Sequence, residues 1–446
     1  MNLWVQKALI NDVNLKFFGI DLHKLYASSG KLIANKLSEM YGLNKSYVFV
    51  CGLGGNASDG LSTAINLIEL GAKSIDVYII GRVNYSGSTI FKALYNQLDK
   101  LKTDNKNLII KQDCYAEDIV QKDIVVESLV GTGLEGSKLN KRFHDCVNRI
   151  SHFKSKMVAI DIPAPSYTPD DVISLNYPKT DTSIVIDIPE SKDASLLCGP
   201  GEVKFLFNSK ERTHKLKNGK ILYISSTTNK DEFEHIAMAA KNYSCDLYIY
   251  NFNTELKELK GFNFINDLEL EKYYNEADTI IIGSIDEQSA ININLIRYIV
   301  KLNKDKKYVL TWNILSLLNT FKDLEFSKES ILLLNRSTVD SILKEYGVSE
   351  RSLSQVIQSN IFFSGFQNTM YSKDGEYKVN INPKLFNQNS TQALANIAAC
   401  ILTKNDPWLT LKASVFLFEV AQKLSTENKK NIEENLKEAI NLCKDY

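Results

Sequence analysis

Short apolar, β-branched runs alternate with helical patterns over most of this 446-residue chain. Such alternation predicts parallel α/β units with helices on both faces of each sheet. The apolar spacing from Leu25 to Tyr41 predicts an early amphipathic helix. The first strand-to-helix unit then comprises a strand at Tyr47–Cys51, a turn at Gly52–Gly60 and a helix at 61–70. Further strands are predicted at Ser74–Ile80, Ile124–Glu127, Met157–Ile160 and Ser183–Ile186.

A second α/β series follows a loop-rich stretch. Six of the eight prolines lie between Pro163 and Pro200, as is typical of loops and strand edges. The polar segment 208–219 reads as a linker, so we predict domains at 1–207 and 220–446. The last 50 or so residues are predicted to be mostly helical. Strands of the second domain are predicted at Lys220–Ser225, Leu247–Tyr250, Thr279–Ile282, Tyr308–Thr311, Ile331–Leu334 and Ile361–Phe363.

Charge and composition exclude several classes of protein. Lys+Arg and Asp+Glu each number 53, so the net charge of +0 gives no general attraction to nucleic acid or to anionic membranes. The seven cysteines include no Cys-x-x-Cys pair, and no histidine lies beyond His235, which disfavours a disulfide framework and a thiolate–imidazole zinc site. Without a signal-peptide pattern or a run of about 18 apolar residues, we expect a cytoplasmic protein with no membrane span.

The strongest local signal is the glycine-rich segment Cys51–Gly60, which follows a strand and opens a helix. Small residues there let the backbone approach a ligand, and the free N–H groups of a helix start favour an anion such as a diphosphate. Asn56 and Asp59 add polar side chains at the same corner. A tight strand-to-helix turn without a ligand has the same composition, so this segment alone leaves both interpretations open.

Two more loops follow strands in the same way. Ser128–Ser137 is a second glycine turn, and Asp161 ends another strand just before two prolines. Because ligands of parallel sheets bind outside the carboxyl ends of the strands, three such loops favour a nucleotide site. Asp161 could act there as a general acid or base, or it could simply cap a turn.

The N-terminal half resembles the NAD(P)H-hydrate epimerase domain over residues 1–207. The resemblance lies in the order and spacing of four segments, each with substitutions. The family loop G-P-G-N-N-G-G-D-G corresponds to Gly52–Gly60, D-A-L-F-G-T-G-L to Glu127–Leu134, D-I-P-S-G to Asp161–Pro165, and the N-terminal pattern to Asp12–Gly30.

This resemblance implies a Rossmann-like, three-layer domain that interconverts the R and S forms of hydrated NADH and NADPH. It implies Asp161 as the catalytic residue and a potassium ion held by Asn56 and by Glu127, which replaces the family aspartate. Ala164 replaces a family serine and lacks its hydroxyl group. The resemblance further implies that the dinucleotide contacts Gly55, Asn56, Ala57, Ser58, Asp59, Gly131, Thr132, Gly133, Leu134 and Ser137.

The C-terminal half resembles, over residues 214–425, the ribokinase-like NAD(P)H-hydrate dehydratase domain, but its functional residues differ. Gln388–Gln392 replaces the family's Gly-Gly-Thr-Gly-Asp, which forms an anion hole and supplies the catalytic aspartate. A glutamine cannot act as a base near neutral pH, and a backbone without glycines cannot easily curl around phosphate. We therefore expect a ribokinase-like α/β domain without dehydratase activity.

Three functions remain open from the sequence. The first is an NAD(P)H-hydrate epimerase carrying an inactive dehydratase-like domain. The second is a nucleotide-binding pseudoenzyme that acts as a scaffold or regulator of a partner, such as an active dehydratase. The third is an RNA-associated protein, which the neutral charge disfavours. A homodimer is an expectation from the family resemblance alone.

Overall fold

The computed structural model describes residues 3–131, 139–208, 219–253, 259–285, 289–302, 305–311, 327–365, 367–380 and 388–446. The chain forms two compact units, unit 1 (residues 1–194) and unit 2 (residues 195–446). No helix within these described ranges is long and apolar enough to cross a membrane.

Unit 1 is built on a sheet of seven parallel strands in the order β3-β2-β1-β4-β5-β6-β7. Its strands are β1 (Ser46–Cys51), β2 (Ser74–Ile79), β3 (Leu108–Lys111), β4 (Ile124–Ser128), β5 (Lys156–Ile160), β6 (Asp171–Leu175) and β7 (Ser183–Ile186). Its helices are α1 (Leu3–Phe17), α2 (Leu22–Tyr41), α3 (Gly55–Glu69), α4 (Thr89–Asp104) and α5 (Lys141–Ser151), and the short α6 (Lys192–Leu196) spans the boundary between the units.

The strands of unit 1 are buried on both faces. Tyr47 and Phe49 of β1 belong to one core cluster, formed with α2, α3 and α4. Val48 and Val50 belong to a second cluster, formed with α5. Because successive side chains of a strand point to opposite faces, this division produces an α/β/α sandwich. The predicted three-layer α/β architecture of the N-terminal half is confirmed.

One predicted boundary in unit 1 was wrong. The sequence placed a turn at Gly52–Gly60, whereas α3 already begins at Gly55. Asn56, Ala57, Ser58 and Asp59 are therefore helical residues, and the replacement of family glycines by Ala57 and Ser58 fits helical backbone without strain. Polar and small residues at a helix start are ambiguous in sequence because they also form turns.

Unit 2 contains an eight-stranded mixed sheet in the order β15-β14-β13-β12-β11-β10-β8-β9. Strands β8 to β13 pair in parallel, and β14 and β15 add an antiparallel edge. The strands are β8 (Lys220–Ser225), β9 (Asp246–Asn251), β10 (Thr279–Ile282), β11 (Lys307–Thr311), β12 (Ile331–Asn335), β13 (Asn360–Ser364), β14 (Asn368–Tyr371) and β15 (Tyr377–Asn380).

Helices cover both faces of this sheet. One core cluster joins alternate strand residues to α9, α10, α11 and α12, and α13 packs on the opposite face against β10 and β11. The predicted helical C-terminus corresponds to α13, α14 and α15. The helices of unit 2 are α7 (Pro200–Asn208), α8 (Lys230–Asn242), α9 (Asp267–Glu276), α10 (Ala290–Leu302), α11 (Arg336–Tyr346), α12 (Glu350–Ile357), α13 (Gln388–Leu402), α14 (Pro407–Asn428) and α15 (Leu436–Lys444).

The residues just before the predicted linker pack within unit 2. The Cys198 N–H donates to the Val379 carbonyl at 3.1 Å, and the buried Glu202 lies 3.6 Å from Lys378. The chain thus crosses between the units before α7, although the polar segment that suggested a linker follows α7.

Candidate active site

A cavity of about 500 Å³ opens at the carboxyl edge of the unit 1 sheet. The strand order reverses between β1 and β4, with β2 and β3 on one side and β5 to β7 on the other. At such a reversal the loops after the two central strands leave in opposite directions, which opens a crevice for a ligand. The cavity lies in this crevice and is also lined by α1, α2 and the segment between β6 and β7.

The structure brings most of the described sequence-predicted site residues to this cavity. Its lining includes Gly55, Asn56, Ala57, Asp59, Gly131 and Asp161. Ser58 is buried beside it and donates its hydroxyl to the Gly54 carbonyl at 3.2 Å. Thr132, Gly133, Leu134 and Ser137 lie outside the described residues.

Asp161 forms an ion pair with Lys179, a residue that sequence reasoning did not single out. The Lys179 side chain is 3% exposed and the Asp161 side chain 14%, so the pair is held largely away from water at the cavity wall. Asp161 also has a φ of 67°, in the left-handed region that non-glycine residues adopt rarely and mostly at special sites. Backbone conformation and ion pair together fix this carboxylate at the end of β5.

Asp59 faces the same cavity from the second turn of α3 and carries a second carboxyl group. It is 7% exposed and accepts a hydrogen bond of 2.5 Å from the Ser29 hydroxyl of α2. Burial raises the pKa of Asp59 to about 8, with the negative charge of Asp161 contributing and the Ser29 hydrogen bond opposing. Near neutral pH Asp59 is therefore a protonated carboxyl group beside the ion pair of Asp161 with Lys179. A third carboxyl group, that of Asp12 in α1, also lines the cavity, and burial raises its pKa to about 6.

Glu127 lies under the loops rather than at the cavity surface. It is fully buried, and its two carboxylate oxygens accept the N–H groups of Leu129, at 2.7 Å, and Ala164, at 3.0 Å. The extra methylene of glutamate lets this carboxylate turn back and join the loop after β4 to the loop after β5. Burial raises the pKa of Glu127 to about 7, against the effect of these backbone hydrogen bonds.

One oxygen at the start of α3 fits the potassium ion that the family resemblance implies. Asn56 Oδ1 is buried without a hydrogen-bond partner, while its Nδ2 contacts the carbonyl oxygens of Val130 and Ile160. An amide oxygen without a hydrogen-bond partner is a hard ligand of the kind that such a cation takes. The two carbonyls already accept from Asn56 Nδ2, and both oxygens of Glu127 already accept backbone N–H groups. The Ala164 substitution removes one hydroxyl group, but its N–H orders Glu127 instead.

Two of the loop glycines serve the packing of the protein itself. A Cβ at Gly52 would lie 2.2 Å from the Leu129 carbonyl oxygen, and one at Gly60 would lie 2.5 Å from Ser128 Oγ. Both glycines let the start of α3 approach the end of β4. A Cβ at Gly54 would meet nothing within 4 Å, so only the middle of the segment is open toward the cavity.

The residues that sequence reasoning missed come from α1, α2 and the β6–β7 segment. Asn11 of α1 lines the cavity with a buried Oδ1 that has no hydrogen-bond partner, and Tyr26 and Lys179 line it as well. Lys179 follows β6, whose carboxyl end meets the same edge as those of β1 and β4. A strand prediction at β6 would have identified this segment, but that strand was not recognised.

One protein-family model matches the part of the chain that contains most of this site. Residues 22–180 match the family model described as YjeF-related protein N-terminus, a range that contains α2, the Asn56 loop, Glu127, Asp161 and Lys179. An NAD(P)H-hydrate epimerase of Elusimicrobium minutum is 28% identical over 160 residues, which are 34% of this chain and 68% of that protein.

One longer relative matches most of the chain, and another matches half of it. A bifunctional NAD(P)H-hydrate repair enzyme of Methanopyrus kandleri is 23% identical over 453 residues, 88% of this chain and 86% of the relative. The enzyme of the same name from Methanocaldococcus jannaschii is 26% identical over 242 residues, 50% of this chain. The match spans only 46% of that relative's length. A ribokinase-like superfamily protein of Enterococcus faecalis superimposes with a TM-score of 0.43 and 12% identity, over 55% of this chain and 95% of that one.

Proposed function

We propose, from the premise that this chain is a relative of the bifunctional NAD(P)H-hydrate repair enzymes, that unit 1 interconverts the R and S forms of hydrated NADH and NADPH. The observation that carries this proposal is the pairing of Asp161 and Asp59 across one cavity at the β1/β4 reversal. A volume of about 500 Å³ is ordinary for a small-molecule site and suits the hydrated nicotinamide end of the dinucleotide. The start of α3 offers N–H groups to the diphosphate.

The two carboxyl groups suit the chemistry of inversion. Inverting a carbon that bears a hydroxyl group requires a bond to that carbon to break and to re-form on the opposite face. A general acid protonates the hydroxyl group so that it leaves as water. Water then adds to the opposite face of that carbon, and a general base takes up the proton that the added water releases. Asp59, with a pKa of about 8, can donate a proton, and Asp161, ion-paired with Lys179, can accept one.

A potassium ion belongs to this proposal as a structural component. Asn56 and Glu127 would hold it, with the Val130 and Ile160 carbonyls beside them. Bound there, the cation supplies positive charge close to the dinucleotide and balances the buried carboxylate of Glu127. The chain's own residues already join the loops after β4 and β5 through Glu127.

Unit 2 is proposed to lack dehydratase activity. Gln392, at the position of the family's catalytic aspartate, lies within 3.4 Å of the Tyr223 hydroxyl and 3.2 Å of Asn396 Oδ1. An amide in this network transfers no proton near neutral pH. The nucleotide-binding pseudoenzyme stays the alternative for the whole chain.

The deciding experiment supplies purified R-hydrate of NADPH to the protein and measures the S form by chromatography, with and without potassium. We expect conversion above the spontaneous rate, stimulated by potassium and reduced at least about 10²-fold by Asp161→Asn. Asp181→Asn, at an exposed position outside the cavity lining, is the matched control and should retain activity. Conversion no faster than the spontaneous rate would refute the epimerase and leave the pseudoenzyme.

A further inference from the structure

A second cavity, of about 670 Å³, lies at the carboxyl edge of the unit 2 sheet. It is bounded by the starts of α8 and α13, by Ser284 after β10, by the end of β11 and by the segment around Glu433. Like the first cavity, it occupies the place where parallel sheets bind their ligands. Its polar groups indicate the kind of ligand it suits.

The hydrogen-bond donors at the strand ends of this cavity are already used by the protein's own carboxylate. Glu232 Oε1 accepts the Ser284 N–H at 3.1 Å, the Ser225 hydroxyl at 3.2 Å and the Tyr223 hydroxyl. A Cβ at Gly283 would lie 2.7 Å from this oxygen, so the carboxylate packs directly on the strand end. A phosphate would have to displace Glu232 to reach these donors.

The charge of the cavity also opposes an anion. Three carboxylates, Asp231, Glu232 and Glu433, are among its described lining residues, together with the imidazole of His235. That described lining contains no lysine or arginine. His235 Nδ1 lies 3.0 Å from Glu433 Oε2, and this hydrogen bond raises the pKa of His235. Even with the imidazole protonated, the described lining keeps an excess of negative charge.

Two acceptors in the cavity wall have no donor. Glu433 is 1% exposed, and its Oε1 has no hydrogen-bond partner although Oε2 is engaged by His235. Gln422 Oε1 is likewise buried and unpartnered, and both residues line the cavity. A buried carboxylate oxygen that finds no donor within the protein is costly unless a bound group supplies one. A ligand that donates to both oxygens would recover this cost.

We propose that the unit 2 cavity binds a small organic cation whose ammonium or guanidinium group donates to Glu433 and Gln422. Hydrogen bonds from a charged donor to a carboxylate are among the stronger ones, and a guanidinium presents several donors in one plane. Asn396 Nδ2, buried and unpartnered in the same wall, can donate to a polar atom of the ligand. The site therefore selects against the nucleoside phosphates that a ribokinase-like domain would be expected to take.

The test is titration calorimetry of the full chain with agmatine, which carries both an ammonium and a guanidinium group, and with ADP as the anionic comparison. We expect saturable binding of agmatine and none of ADP. Glu433→Gln should weaken agmatine binding about tenfold, as the loss of one charge-assisted hydrogen bond implies. Asp231→Asn, at an exposed lining position, should weaken it about two- to threefold through charge alone.

The matched control is Glu434→Gln, which removes the same charge from the exposed neighbour of Glu433 outside the cavity lining. Agmatine binding by this variant should equal that of the unmodified chain. Because Asp231 is exposed, its variant keeps the test decisive if Glu433→Gln fails to fold. The proposal is overturned if agmatine does not saturate, if ADP binds instead, or if Glu434→Gln weakens binding as much as the lining variants do.

Discussion

Individual residues of the unit 1 site differ from the epimerase motifs that the chain resembles, and these residues decide which contacts the site makes. Glu127 stands where the family that the chain resembles has an aspartate, and it directs its carboxyl group to two backbone N–H groups, one of which is that of Ala164. Lys179 lies beside Asp161 as its buried counter-charge. Each change is compensated locally, because a buried polar group must find a partner.

The ion pair of Asp161 with Lys179 predicts how a single substitution changes the free energy of unfolding. Lys179→Met should lower the free energy of unfolding by about 3–5 kcal/mol, because it leaves a largely buried carboxylate without its counter-charge. Urea unfolding of the full chain measures the loss. The double variant Lys179→Met/Asp161→Asn should recover most of it, since no charge is then left unpaired. Equal losses in the single and double variants would refute the coupling.

The raised pKa of Asp59 gives a pH prediction. Its pKa is about 8 in the folded protein, against an ordinary 3.8. The folded state therefore binds a proton that the unfolded state releases, and stability present below about pH 4 is lost as the pH rises toward 8. Asp59→Asn should reduce the decrease in the free energy of unfolding between about pH 4 and pH 8. Asp99→Asn, at an exposed position on α4, should leave the slope unchanged, and an unaltered slope in Asp59→Asn would contradict the assignment.

Among the secondary-structure elements, the glycine-rich segment at the start of α3 both packs against the sheet and leaves open space at the cavity. Gly52 and Gly60 let the helix start pack against the end of β4, whereas Gly54 borders open space. The approach of α3 to β4 places Asn56 beside the Val130 and Ile160 carbonyls. Packing of these elements, rather than the loop alone, thus builds the site.

This packing predicts the effect of a methyl group at Gly52. Gly52→Ala should destabilise the protein by about 1–3 kcal/mol, because its Cβ would lie 2.2 Å from the Leu129 carbonyl oxygen and the strand ends must shift. Thermal unfolding followed by circular dichroism measures this. Gly87→Ala is the control, since a Cβ there meets nothing within 4 Å and should be neutral or slightly stabilising. A neutral Gly52→Ala would show that the close approach is not required.

In the whole molecule, two α/β units each place a cavity at the carboxyl edge of their own sheet. The unit 1 cavity is lined by three carboxyl groups and the buried Lys179, whereas the described lining of the unit 2 cavity carries three carboxylates and no lysine or arginine. The same architecture therefore carries two cavities that differ in their charged side chains, which topology does not determine.

The corresponding prediction concerns the activity of the full chain. With the S-hydrate of NADH and either ATP or ADP, we expect no nucleotide-dependent formation of NADH, measured by the recovery of nicotinamide absorbance. The physical reason is the loss of a proton-transferring group at Gln392 and the occupation of the strand-end donors by Glu232. The Methanocaldococcus jannaschii relative serves as the positive control. Nucleotide-dependent recovery of NADH would contradict the proposal for unit 2.

The sequence by itself determined the fold class, most strands and most of the loops that meet at the unit 1 cavity. Alternating apolar runs identify buried strands because burial on both faces requires them, and the loops at parallel strand ends must share one edge. It also gave the prediction that unit 2 lacks dehydratase activity, because an amide at Gln392 cannot act as a base near neutral pH. These conclusions depend on local chemistry and on order along the chain.

Only the tertiary structure decided which side chains meet. Strand β6 was missed because its residues Asp171–Leu175 follow a proline-rich loop, and Lys179 was missed with it. The pairing of Lys179 with Asp161, the partners of Glu127 and the unpartnered oxygen of Glu433 all arise from contacts between segments distant in sequence or from burial. Burial and the hydrogen-bond or ion-pair partner set the protonation state of each carboxyl group, and neither can be read from the amino-acid sequence alone.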